Sequence, residues 1–317
     1  MRRILWVLIA CTVLNCESAS AASLGVYQGS GCTGATALNN FVGWFGRKPD
    51  QVLDFIASDS WQAMLDGSNW VSGCWHNVNA EVVFSLPMLP EGTDTLADGA
   101  AGKFDDKFEQ IAAVLIAKGY GDAVIRIGWE FNGDWYPWAA AKDPINWVIY
   151  WRRIVTAMRG VEGAAFRFDW CPALGQQQIA ANAVYPGDTY VDIIGQDVYN
   201  QSWSGVSTAA DRWTELLMQP YGLQWHRTFA TTHSKPMSFP EWATGTRPDG
   251  HGAGDDAYFI QQMASWIGQT APLYHNYWDY SAPDFDGKLS NGSKPKAGAA
   301  FRQNFFPVPR PPSGVRG

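Results

Sequence analysis

Asp122-Ala-Val-Ile-Arg126-Ile-Gly-Trp129-Glu130-Phe-Asn132-Gly-Asp-Trp135-Tyr-Pro-Trp138 decides the fold. Its first part, Asp122 to Gly128, is a short apolar run with β-branched residues, the pattern of a strand buried in a parallel sheet. It passes directly into a loop of Trp, Tyr, Gly and Pro, with a carboxylate at the junction. A parallel strand delivering Glu, Asn and aromatics at its C-terminal end is how a (β/α)8 barrel builds a carbohydrate site. Aromatic faces stack on sugar rings, amides bind hydroxyls, and a partly buried carboxyl holds its proton towards neutral pH.

A second stretch, Lys235-Pro-Met-Ser-Phe-Pro-Glu241-Trp242, repeats the order strand, Glu, aromatic. Two carboxylates at two strand–loop junctions, each beside a Trp, suit acid-assisted glycoside hydrolysis, which needs one acid and one nucleophile or base. The same residues also admit a plain reading, in which a strand-end Glu caps the next helix or pairs with an arginine such as Arg126.

Working outward, eight strands are predicted: Leu24–Gln28, Val52–Ala57, Glu81–Leu86, Asp122–Gly128, Ala165–Trp170, Val191–Val198, Pro236–Phe239 and Leu273–Tyr280. Between them lie helical patterns. Phe104–Lys118 repeats apolar residues at three-to-four spacing and stops at Gly119, and Ile145–Met158 and Ala257–Ile267 behave likewise. Strands alternating with helices imply a parallel sheet, and eight units imply an α/β, single-domain (β/α)8 TIM barrel. An open doubly wound sheet is the alternative, but no Gly-rich phosphate loop follows the first strand. In the barrel, Glu130 ends strand four and Glu241 ends strand seven, so both fall on the catalytic face.

Arg126 is spaced to point into the barrel beneath the site, as a support for the nucleophile or as part of a buried charge network. Asn132 can bind a sugar hydroxyl or hold its loop. Asp197 and Tyr199 share one face of strand six, and Asp197 reads as a substrate ligand or as a partner of Arg126. Trp135, Trp242 and Trp278 are stacking candidates, and Trp278 at the end of strand eight fits either the floor of a subsite or the core.

The chain resembles glycoside hydrolase family 26, the β-mannanase family of the (β/α)8 clan with two catalytic glutamates. The resemblance runs from about Leu24 to Ser281. It is most specific at Arg126…Glu130-Phe-Asn-Gly…Trp135-Tyr-Pro-Trp138, at Tyr185-Pro-Gly-Asp-Thr-Tyr-Val-Asp-Ile-Ile-Gly-Gln-Asp-Val-Tyr199-Asn200 and at Lys235-Pro…Glu241. It implies that Glu130 is the acid/base, that Glu241 is the nucleophile and that Tyr199 holds the nucleophile. It also aligns Trp75-His76 with the subsite loops, which makes His76 a candidate ligand, although a lone histidine is more often a satisfied structural residue. One position departs: the family usually has His before the acid/base, and here it is Trp129. Indole has one donor and no acceptor, so the departure implies a substrate other than plain mannan.

The first 21 residues read as a signal peptide: Arg2-Arg3, an apolar run from Ile4 to Leu14 too short to span a bilayer, and a cleavage site near Ala19-Ser20-Ala21. A secreted or periplasmic protein follows, with lipidation at Cys16 as a weaker alternative. Residues 22–306 are assigned to the catalytic barrel. The Pro/Gly-rich residues 307–317 are assigned to a disordered tail. In an exported chain Cys32 and Cys74 are a candidate disulfide, and Cys171 reads as a buried thiol. Net charge is −7 with 17% charged residues and no basic run, which argues against nucleic acid as a partner. Seventeen Trp exceed what one core needs and suggest sugar platforms. No metal-ligand spacing is present, and no cofactor is implied. The expectation is an exported, monomeric, retaining endo-β-glycanase acting on a polysaccharide. The alternatives are a polysaccharide-binding barrel without hydrolysis and a transglycosylase or processing enzyme of a bacterial exopolysaccharide.

Overall fold

The computed structural model describes residues 22–306; the expected signal peptide and the expected tail lie outside them. The strands are β1 (Ser23–Tyr27), β2 (Gln51–Phe55), β3 (Glu81–Leu86), β4 (Val124–Ile127), β5 (Arg167–Trp170), β6 (Ile193–Gly195), β7 (Val198–Asn200), β8 (Met237–Thr244) and β9 (Tyr274–Trp278). All pair in parallel. β6 and β7 are two halves of one stave, since both lie against β8. β1 joins both β2 and β9, so the sheet closes into eight staves. The helices are α1 (Gly31–Phe45), α2 (Trp61–His76), α3 (Leu96–Ala100), α4 (Asp105–Ala117), α5 (Pro144–Arg159), α6 (Ala209–Met218), α7 (Leu223–Thr232), α8 (Ala257–Thr270) and α9 (Pro295–Phe305). The fold is the (β/α)8 barrel that the alternation of patterns predicts.

Strand alternation sorts the side chains into two cores. Leu53, Val83, Val124, Ile193 and Tyr274 meet inside the barrel, while their neighbours Val52, Val82, Phe84, Ile125, Phe168 and Ile194 pack outward under the helices. The helices start where their chemistry allows: α5 opens with Pro144 in its first turn, and the Asp143 carboxylate accepts from the Asn146 backbone. A disulfide joins Cys32 in the first turn of α1 to Cys74 near the end of α2, clamping two helices of the outer layer. Cys171 is buried and free. Among the described residues, no helix is long and apolar enough to cross a membrane.

The seventh stave differs from expectation in a way that builds the site. The sequence pattern predicts a strand from Pro236 to Phe239. Instead β8 runs on to Thr244, with a bulge between Phe239 and Trp242. The neighbours confirm that the extra residue belongs to β8: Gly195 pairs with Ser238 and Val198 with Trp242. Pro240 sits within the bulge, where a missing N–H is tolerated. The extra residue shifts the alternation by one. Ser238 faces into the barrel, where it donates to Asp169. Glu241 faces inward as well, while Trp242 faces the helices. A regular strand would have turned Glu241 outward.

Candidate active site

Glu130 does not sit on β4 itself. The strand ends at Ile127, and the chain turns through Gly128 at φ 53° and Glu130 at φ 51°. At Gly128 a Cβ would fall 2.5 Å from the Met88 sulfur, so only glycine fits there. Glu130 bears a left-handed backbone without being glycine, a local strain of about 1 kcal/mol or more that usually persists only where surroundings hold it. Its N–H donates to the Cys171 carbonyl at 2.8 Å, tying this turn to the end of β5. The turn replaces the bulge that alternation would otherwise require to bring Glu130 to the barrel mouth.

Glu241 is buried and clamped from two sides. Arg126 donates from Nη1 to its Oε1 at 2.5 Å, and Tyr199 donates from its hydroxyl to Oε2 at 2.5 Å. Arg126 is fully buried below it. The same guanidinium donates to Ser85 Oγ at 3.1 Å and forms an ion pair with Asp197. The Cys171 thiol donates to the other Asp197 oxygen at 3.3 Å. Phe55 and Trp129 cover the cation, with ring centroids 5.9 and 5.6 Å from its central carbon. Burial alone would drive Arg126 towards neutrality, but Asp197 and Glu241 override it and hold its pKa above the ordinary value. Burial, then the charge of Glu241, raises the Tyr199 phenol well above its usual range, so it stays a neutral donor.

Glu130 is half-buried and faces the same cleft as Glu241. Burial, then the charge of Glu241, pushes its pKa up to about 7. Arg126 and a hydrogen bond from the Trp135 indole to Glu130 Oε2, 3.0 Å long, pull the other way. This pairing of one carboxyl poised near neutrality with one held by a cation and a phenol is the division of labour expected of an acid/base and a nucleophile. It also fixes a signed prediction. Activity that needs protonated Glu130 falls as pH rises through about 7. Trp135→Phe removes a donor that favours the carboxylate, so the alkaline limb of kcat/KM moves to higher pH. A limb that stays put or moves down, measured on any hydrolysed glycan, overturns this role for Trp135.

The cleft has a volume of about 890 Å³. Trp135, Tyr136, Tyr199, Trp278 and Phe285 line it around the two glutamates. Trp278 stacks on Tyr27 with centroids 4.3 Å apart, which fixes its plane beside Tyr199. Of the residues singled out from the sequence, Glu130, Glu241, Tyr199, Trp135 and Trp278 meet in this cleft, with Arg126 beneath them as a support and not as a surface for ligand.

Four expectations need correction. Trp242 is fully buried and packs outward against Phe259, Phe301 and Phe305, a consequence of the β8 bulge, so it is core. Asn132 is fully buried and spends both ends of its amide on the Ala173 backbone, bracing one loop against the next. His76 closes α2 just before β3, on the side where Lys48 meets the Val78 and Asn79 carbonyls, which is the strand N-terminal face away from the cleft. Trp129 is nearly buried, and its indole donates to the Tyr136 hydroxyl at 2.9 Å. The residue that reaches the cleft is therefore Tyr136, stacked on Trp138 at 4.5 Å. Tyr136 stood inside the stretch that opened the sequence reading. The lining residues Trp203, Arg247 and Asp284 had no comparable signal, beyond an aromatic in a polar loop soon after Tyr199.

Comparison with known proteins bears on the fold and on the family the chain resembles. The model of glycosyl hydrolase family 26 matches residues 104–222. Endoglucanase H of Acetivibrio thermocellus is 26% identical over 288 residues, 84% of this chain; the chain spans only 29% of that protein's length. Among solved structures, GH26C from Muricauda sp. MAR_2010_75 superposes with a TM-score of 0.67 at 16% identity, covering 89% of this chain and 84% of that one. The catalytic domain of the GH26 endo-β-1,4-mannanase of Bacillus sp. JAMB-750 gives 0.63 at 17% identity, with 89% and 87% covered. Bacillus subtilis mannanase man26 gives 0.60 at 15%, with 90% and 85% covered. At these identities the solved structures show the fold, and over residues 104–222 the chain is similar to glycosyl hydrolase family 26.

Proposed function

We propose that this chain is an exported, retaining endo-β-glycanase that cleaves a neutral β-linked polysaccharide with Glu130 and Glu241. The observation that carries the reading is the shared cleft in which Glu130, near neutrality, faces a Glu241 clamped by Arg126 and Tyr199. Glu130 in its neutral form donates its proton to the glycosidic oxygen as the bond to the anomeric carbon breaks. Glu241 attacks that carbon from the opposite face and forms a glycosyl ester. Glu130, now a carboxylate, takes a proton from water as the water attacks the same carbon and releases Glu241. Tyr199 and Arg126 hold the plane of Glu241 through both steps.

Charge supports a neutral substrate. Glu130, Asp197, Glu215, Glu241 and Asp284 line the cleft, and the guanidinium of the lining Arg247 is taken by Asp249. A uronic acid chain would meet like charge. The Trp129–Tyr136 pair supports a preference away from unsubstituted mannan, because a phenol carried on a buried indole occupies the region beside the acid/base. Export is supported by the N-terminal sequence and by the Cys32–Cys74 disulfide.

The test is the product anomer. Proton NMR of hydrolysis of mannan, β-1,3-xylan and mixed-linkage glucan should show the β-anomer forming first on the preferred polymer, with mannan the poorer substrate. An α-anomer first would mean inversion and a carboxyl separation beyond about 6.5 Å in place of about 5–5.5 Å. Binding without turnover of all three would overturn the hydrolase reading in favour of a binding barrel.

A further inference from the structure

Besides the aromatics around the two glutamates, the same cleft is lined by Trp203, on the loop after β7. Trp203 leaves 59% of its surface exposed. Its aromatic neighbour is His251, stacked at 5.1 Å with planes 24° apart, and Arg247 lies 5.6 Å from its ring centre.

The bed under it is heavily cross-linked. Ser202 N–H donates to the His251 carbonyl at 3.1 Å, and His251 Nδ1 returns a 2.8 Å bond to the Ser202 carbonyl. Arg247 grips Asp249 through two nitrogens and Gln201 Oε1 through a third. Ser202 Oγ donates to Glu215 at 2.7 Å. An indole left largely in water forfeits apolar burial, and holding it on such a bed pre-orders it for a ligand.

The same cleft is also lined by Gln176 and Gln177 from the loop after β5, by Glu215 from α6 and by Gln219 just after it, and Glu215 is tied to the Trp203 loop through Ser202. A flat apolar ring in the company of amides and a carboxylate is complementary to a pyranose, whose axial C–H bonds make an apolar face and whose rim carries hydroxyls.

Resting on the glycanase reading, we propose that Trp203 is the floor of a distal subsite that stacks on one sugar ring of a neutral polysaccharide, away from the bond being cut. Gln176 and Glu215 are its hydroxyl partners. This subsite makes the enzyme favour long chains and internal cleavage.

The test uses the full mature chain and the trioses to hexaoses of β-1,4-mannan, β-1,4-glucan and β-1,3-xylan. On the series that wild type cleaves, Trp203→Ala should cost kcat/KM about tenfold more on the hexaose than on the triose, the size of one aromatic stacking contact. Trp203→Phe should recover most of that difference. In a Glu130→Gln background, calorimetry should show the same tenfold weakening of hexaose binding, with no turnover involved. A penalty equal at all chain lengths, or absent at all, overturns the subsite. Failure of the glycanase reading looks different: wild type then cleaves none of the hexaoses. If the Glu130→Gln protein also binds none of them, both proposals fall.

Discussion

Glu241→Gln is expected to abolish turnover, with a loss on the order of 10⁴-fold or more, because the substituted amide cannot form the glycosyl ester. The replacement is nearly isosteric and leaves Arg126 paired with Asp197, so the far-UV spectrum should stay that of the parent. Glu130→Gln is expected to lose about 10²–10⁴-fold on polysaccharide, the usual worth of a positioned general acid. The two losses should separate on a dinitrophenyl glycoside of the preferred sugar. Its leaving group departs as a stable anion and needs no proton, so bond cleavage survives in Glu130→Gln and a glycosyl-enzyme accumulates at Glu241, visible as added mass. Glu241→Gln should stay inactive on the same compound. A Glu241→Gln protein keeping a tenth of wild-type activity sinks the nucleophile assignment. Equal losses for Glu130→Gln on both substrate types sink the acid assignment.

The barrel was legible because the strands are apolar runs bounded by turn residues, and because α4, α5 and α8 carry unbroken three-to-four spacing. β3 lies where its pattern put it, from Glu81 to Leu86. The site was legible in part. Residues that act through the barrel interior, such as Arg126 and Asp197, follow strand parity and could be placed by counting. Residues near Glu241 could not, because parity there is broken by a bulge that only pairing with β6, β7 and β9 reveals. That break is why Trp242 reads as a platform in the sequence and is core in the fold. Asn132 shows another limit. An amide after a catalytic Glu suits a sugar and a loop backbone equally, and the choice depends on Ala173, which arrives from the next βα unit. His76 was misplaced because a resemblance in sequence order carries no statement of which end of the barrel a helix terminus occupies.

The Trp129 position shows how a local departure is absorbed. An indole cannot replace an imidazole as an acceptor. The chain buries it against Phe55 and Trp138 and uses its one donor to hold Tyr136. The chemistry offered to substrate beside Glu130 is then a phenol on a rigid mount, and the sequence difference acts one residue removed from where it occurs.

Arg126 is the residue on which both stability and chemistry converge, and Arg126→Met is expected to damage both. In the native site one guanidinium serves Asp197 and Glu241, with Glu130 facing the same cleft. Removing the cation leaves two carboxylates buried together, with the Cys171 thiol donating to Asp197 and the Tyr199 hydroxyl to Glu241 as their remaining side-chain donors. Breaking such a pair from one side costs about 3–5 kcal/mol, which for a domain of this size lowers Tm by about 6–10 °C. Arg126 is among the influences that keep the pKa of Glu130 from rising further. Any residual activity should therefore show its alkaline limb displaced to higher pH, a change that mere loosening of the fold would not produce. The double variant Arg126→Met/Asp197→Asn should recover part of the lost Tm, because it removes one of the stranded charges, while turnover stays low for want of the donor that orients Glu241. An Arg126→Met protein within about 1 kcal/mol of wild type would contradict the buried-pair argument. A double variant less stable than the single one would show that Asp197 is held by something other than the guanidinium.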